Sequence, residues 1–279
     1  MKSPIKYLNL QDDLWYECLE DSLGFVRESW QSNWLGMPVL LNKCLKFLDL
    51  HEDNLSVAGK SMFAAARSVA LEIENHARNL QNVTEPKFHN RLHFADVLTS
   101  MSIQLGILVE LEKKTNQDWL ICALLTSLAH DLAHPGKVNL VESEIEMHSV
   151  SVLEPILSAH AVPNEWQKVL NTAIIRSDFS IAHINHANVS GAYFEWDLKW
   201  LCVLLNEADV MASATSKYGP ELGVALAHEW RLIDFPPHLT VSSVEGRNFF
   251  LRHLTFSSPA SLVLGLIKRI SEEIESNLA

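Results

Sequence analysis

The chain has 279 residues, 48% of them hydrophobic, and a formal charge of −12 from 22 Lys and Arg against 34 Asp and Glu. That much apolar material supports a large folded core and excludes a disordered chain, while the negative balance excludes a general affinity for the backbone of a nucleic-acid polymer. The same balance offers no long-range attraction to a small anion, so a phosphate-bearing substrate would need a bound cation at its site.

The amino-terminal stretch MKSPIKYLNLQDDLWYECLEDSLG is broken by charges and lacks a leader-like apolar core, and no later apolar run reaches the length of a membrane span. The expectation is a cytoplasmic protein with no membrane association. Cys18, Cys44, Cys122 and Cys202 are widely spaced, form no CxxC pair, and read as reduced thiols. Residues 1–80 predict two to four helices, among them an amphipathic stretch at 62–77, and form a packing subdomain that walls one side of the core. Residues 81–279 form the rest of one compact unit, the part in which the candidate site residues fall. Apolar residues recur there at three- and four-residue spacing, with breaks at 81–87, 134–136, 159–164, 185–193 and 232–246 where Gly and Pro gather. The fold class is all-α, a compact multi-helix bundle, and 239–244 is the one candidate strand, placed in a loop.

Several ionisable residues lie on helix faces that this periodicity assigns to the core, where a charge is costly unless paired or metal-bound. In the helix that begins near Phe88, the residues His89, His93, Val97, Met101, Leu105 and Leu108 share one stripe. Two imidazoles at i and i+4 can aim at a common centre, although such a pair alone is equally natural as a structural or surface feature. In the next helix, 118–133, Asp131 falls beside Leu124, Leu128 and Leu132, and His130 stands next to it where Pro135 and Gly136 turn the chain. A third helix, 195–215, carries Leu198, Leu201, Cys202, Leu205 and Ala208 on its apolar face, and Asp209 continues it. A salt bridge to an arginine is the plain alternative for Asp209, but no helix-spaced Lys or Arg accompanies it before Lys217. Glu146 shares a stripe with Val150, Leu153 and Leu157, while Asp178 closes an apolar helix end where a cap is as natural as a site role. Imidazole and carboxylate donors from three helices suit zinc, iron or manganese, and the carboxylates also suit magnesium.

Taken in order, HNRLH at 89–93, HDLAHPG at 130–136, EMH at 146–148 and EAD at 207–209 resemble the catalytic domain of the class I 3',5'-cyclic nucleotide phosphodiesterases, within the HD superfamily of metal-dependent phosphohydrolases. The resemblance runs from about residue 88 to about residue 262. It implies an HD-domain helical bundle and a metal-dependent phosphoric ester hydrolase that uses two divalent ions, zinc, magnesium or manganese with iron as a variant. It also implies a metal-activated hydroxide and a histidine general acid. By resemblance His93, His130, Asp131 and Asp209 hold the first metal, His89 is the general acid, and His134 and Glu146 support the water network. The implied partner is a small-molecule phosphate ester, a cyclic or related nucleotide.

The chain departs from the family at the substrate side. Ala133 stands where an acidic residue usually supports the second metal, and Ala212 where an asparagine usually lies near the base. The segment EGRNFFLRHLTFSSP at 245–259 offers no glutamine for a purine edge and places Arg247 there instead, so Arg247 and Asp178 are the candidate substrate contacts. Two other readings on the same scaffold stay open: a phosphomonoesterase or nucleotidase, and a di-iron oxygenase. The acidic run SEEIE at 271–275 reads as a solvated helix face.

Overall fold

The computed structural model describes residues 12–80, 85–112 and 115–278. The described residues form thirteen α-helices, and no strand occurs among them. The first three are α1 (Asp12–Ser32), α2 (Met37–Phe47) and α3 (Val57–Asn79). Then come α4 (Arg91–Leu111), α5 (Gln117–Ala129), α6 (Glu144–Ala159), α7 (Asn164–Ile175) and α8 (Ala182–Asn188). The chain ends with α9 (Leu198–Ala214), α10 (Gly219–Leu232), α11 (Val244–His253), α12 (Pro259–Val263) and α13 (Leu266–Leu278).

The order of packing follows from the distribution of apolar side chains. Helix α4 touches α1, α2, α5, α9 and α12, and every residue from His93 to Leu108 is buried. A helix that meets neighbours on all sides must be apolar all round, which is why α4 lacks a polar face. It is long and apolar enough to cross a membrane by length and composition, yet 89% of its apolar window is buried inside the bundle. Helix α3 lies along α5, α6 along α7, and α8 and α10 against α9. One hydrophobic cluster runs from Trp15 to Ile270 and takes in helices from both sides of position 80. The four cysteines are buried in it and form no disulfide among the described residues.

Two sequence expectations change. Residues 239–244 form no strand, because Pro236–Leu239 starts a 3-10 turn and the amides that follow bond locally: Val241 N donates to Pro237 O (2.9 Å) and Ser243 N to Thr240 O (2.8 Å). The break at 185–193 starts later, since α8 continues to Asn188. Of the break at 81–87, residues 81–84 lie outside the described residues.

The amino-terminal helices do more than cover the core. Glu74 of α3 accepts from Trp34 Nε1 (2.8 Å), Met37 N (2.9 Å) and Arg91 Nη1 (2.7 Å), and Arg91 also pairs with Glu85 (2.9 Å). Arg91 is the middle residue of HNRLH, so this buried network fixes the start of α4 against α2 and α3.

Candidate metal centre

Three helices deliver four ligand-capable side chains to one place. Asn90 caps α4 by accepting from Leu92 N (2.9 Å) and His93 N (3.4 Å), which sets His93 in the first turn facing inward. His130 caps the end of α5 and Asp131 follows it, where the chain leaves the helical path through left-handed Ala133 (φ 61°) and Gly136 (φ 66°). A Cβ at Gly136 would sit 3.3 Å from the Pro86 ring carbons, so that turn needs glycine on two counts. Asp197 caps α9 by accepting from Trp200 N (3.0 Å), and Asp209 lies three turns further along the same helix.

The donor atoms are closely matched in spacing. His93 Nε2 lies 3.1 Å from Asp209 Oδ1, 3.2 Å from His130 Nε2 and 3.3 Å from Asp131 Oδ2. His130 Nε2 lies 3.4 Å from Asp131 Oδ2 and 3.6 Å from Asp209 Oδ1. Donors held about 2.1 Å from one ion stand about 3.0 Å apart at octahedral angles and about 3.4 Å apart at tetrahedral angles, so these separations fit a coordination sphere. The tautomer fits as well. His130 Nδ1 lies 2.9 Å from the carbonyl oxygen of Ser127, which can only accept, so Nδ1 carries the proton and Nε2 turns its lone pair inward.

Charge balance points the same way. Burial favours the neutral form of Asp131 and Asp209, yet the neighbouring histidines hold both carboxyls well below the usual carboxylate range. Burial pulls His93 down, but its bonds to Asp131 and Asp209 outweigh it and lift the ring to about 10, and His130 is raised by the same two carboxylates. The cluster therefore stabilises positive charge at its middle, as a cation site must. The alternative of an arginine partner for Asp209 is not what the fold provides: among the described residues its ion-pair partners are His93 and His130.

His89 sits beside this centre, with Nε2 4.0 Å from Asp131 Oδ2. Its Nδ1 lies 2.5 Å from Glu229 Oε1, while Glu229 Oε2 accepts from Phe88 N (2.8 Å) and His89 N (3.1 Å). Although Glu229 is buried, these bonds hold its carboxyl down at about 2. His134 stacks on His89 with ring centroids 3.7 Å apart, and its Nδ1 accepts from Gly136 N (3.0 Å). Burial, and then the charge of His89, pull His134 down to about 3, so that ring is neutral. Glu229 was missed in the sequence. Its signal was available, for Glu229 lies seven residues after buried Leu222 on the inner face of α10, the same pattern that singled out Asp209.

The remaining candidates divide. Glu146 and Asp178 are both buried and both accept from Asn139 Nδ2, at 2.9 and 3.2 Å. Burial, with repulsion from Asp178 and Asp131, pushes Glu146 up to about 7. Asp178 also accepts from Ser143 N (2.8 Å) and Ser180 N (2.8 Å), so it pins the loop before α6 to the turn after α7. Its carboxylate is consumed by the fold. Arg247 lies elsewhere. Its guanidinium pairs with Glu273 (2.8 and 3.0 Å) and donates to the last carbonyls of α9, those of Ser213, Ala214 and Thr215. It closes the end of α9 against α11 and α13 and is not brought to the metal centre. Glu273 accordingly leaves the solvated face expected of the acidic run at 271–275.

No protein-family model matches the chain. A stretch of 73 residues is 36% identical to the cGMP-specific 3',5'-cyclic phosphodiesterase delta of Plasmodium falciparum (isolate 3D7), covering 24% of this chain and 9% of that protein. This partial similarity and the buried histidine–aspartate group are compatible with a phosphodiesterase.

Proposed function

We infer that the chain is a metal-dependent phosphoric ester hydrolase of phosphodiesterase type, with an HD-type active site, acting on a cyclic or related nucleotide. The observation that carries this reading is the pairing of a four-donor cluster with an imidazole, His89, whose Nε2 faces it at 4.0 Å from Asp131. His93, His130, Asp131 and Asp209 would hold a divalent cation, zinc, magnesium or manganese. When bound, such an ion supplies Lewis acidity and a water acidic enough to act as nucleophile near neutral pH. Asp131 would also be available to a second ion, for which Ala133 supplies no side-chain ligand.

The chain's own groups account for the proton. Glu229 fixes the plane of His89 through Nδ1, leaving Nε2 free to pass a proton to the departing ester oxygen. Neutral His134 covers the face of that ring without adding a repelling charge. Glu146 changes protonation near neutral pH, which suits it to order water beside Asp131.

The test is an assay of metal-stripped protein reloaded with magnesium, manganese or zinc, against cyclic mononucleotides, cyclic dinucleotides and nucleoside monophosphates. The reading requires metal-dependent release of a nucleotide from a diester. Hydrolysis of monophosphates alone would move the chemistry to a phosphomonoesterase, and inactivity on the whole panel with metal bound would remove the hydrolase reading.

A further inference from the structure

A cavity of about 310 Å³ opens beside Asp209, walled by the turn after α7, by α8, by α9 and by the segment 253–255. That is near the lower end of the range for small-molecule sites and suits a nucleoside-sized group. Asp209 is the one formally charged side chain on its wall among the described residues, and no Lys or Arg reaches it. A second phosphate would find no counter-charge there. The cavity is built to receive the neutral part of a substrate whose anionic part lies at the metal centre.

Its polar groups are not equally available. Asn206 lines the cavity, but its Oδ1 accepts from Asn185 Nδ2 (2.7 Å) and its Nδ2 donates to the carbonyls of Arg176 (3.2 Å) and Ser177 (3.3 Å). His186 differs. Its Nδ1 lies 2.7 Å from Ser257 Oγ, and its Nε2 has no hydrogen-bond partner among the described residues. Burial pulls this ring down to about 4, so it is a neutral imidazole at neutral pH. The wall that holds it is rigid: buried Glu207 accepts from Ser257 N (2.6 Å), Ser258 N (2.8 Å), Ser258 Oγ (2.5 Å) and Ser261 Oγ (2.5 Å), locking 257–261 to α9. Phe179, which also lines the cavity, is half exposed and lies near-parallel to Phe250, centroids 6.4 Å apart, offering a flat apolar face.

We propose that His186 is a specificity-determining residue, which hydrogen-bonds through Nε2 to the edge of a neutral planar heterocycle, a nucleobase, seated between it and Phe179. The chain thus reads its substrate with an imidazole from α8. This rests on the phosphoester-hydrolase reading, and the experiment has two arms to separate them. In the first, manganese-loaded wild type and His186→Ala are compared on the cyclic nucleotide that the wild type prefers and on bis(4-nitrophenyl) phosphate, a diester with no base. The ratio of kcat/KM for the nucleotide to that for the generic diester falls about tenfold or more in His186→Ala, mostly through KM, as expected when a site loses one hydrogen bond to its ligand. Ser257→Ala, which keeps the ring and frees its orientation, lowers the ratio less. An unchanged ratio overturns the proposal, including the case where both substrates lose rate together, as a structural defect would produce. Should His186→Ala not fold, an unchanged ratio in Ser257→Ala overturns it. In the second arm, uncharged nucleosides are titrated into both proteins by calorimetry. Weaker binding to His186→Ala supports the proposal even if no ester is cleaved, whereas equal binding, or none to the wild type, overturns it.

Discussion

Two largely buried groups of charges lie about one turn apart near the carboxyl end of α9, and they behave differently. At the carboxyl end of α9, Arg247 meets Glu273 and three carbonyls, so its donors and the carboxylate are consumed within the fold. Just before that end, the Nε2 atoms of His93 and His130 and the carboxylate oxygens of Asp131 and Asp209 converge on one point, with both carboxylates ionised. The first group is closed and holds helices together. The second is open and asks for a cation. Buried charge alone does not mark a site; what marks it is donor capacity that the protein leaves unused.

The sharpest way to break this contrast is to remove a donor from the open group. Asp209→Ala or His130→Ala should lose the bound metal, measured by elemental analysis, and lower activity by about 10³-fold or more, since nucleophile and charge stabilisation go together. Next in size is His89→Ala, which should retain metal and lower kcat by about 10²- to 10⁴-fold, the usual worth of a general acid. Glu229→Gln should follow at about 10- to 100-fold, because it leaves the ring but loses the carboxylate that orients it. At the closed group, Arg247→Ala should cost about 3 kcal/mol in denaturant unfolding by stranding Glu273, with metal content unchanged, and Arg247→Met with Glu273→Leu should recover most of it.

The smallest effect concerns pH. Glu146 has its folded pKa raised to about 7, above about 4.3 for an unfolded glutamate, so the folded state binds this proton more tightly. Its contribution to stability is complete below the unfolded value and is lost as pH rises through about 7. Chelator-treated protein should therefore become less stable across that window, and Glu146→Gln should flatten the change in denaturation midpoints.

Much of the centre was legible because burial of charge is a period-breaking event that a helical stripe reveals. His93, Asp131 and Asp209 each continued an apolar face, and the structure gathers them. Glu229 obeyed the same rule and was overlooked because it sits on α10 outside the recurring motifs. The partners of Arg247 were hidden for the opposite reason: a lone cation in the sequence says nothing about Glu273, which lies 26 residues later and meets it only after α13 folds back. Asp178 and Asn139 likewise act through backbone amides brought close by a turn, which no side-chain pattern records. His186 and Glu207 depend on tertiary pairings with Ser257, Ser258 and Ser261, from the far end of the chain.

The most direct measurement is the binding of a divalent cation by purified, chelator-treated protein, titrated by calorimetry in parallel with His93→Ala. The wild type should take up at least one ion per chain and the variant should take it up far more weakly. A wild type that binds none, or a variant that binds as well as the wild type, would contradict the convergence on which the enzymatic account stands.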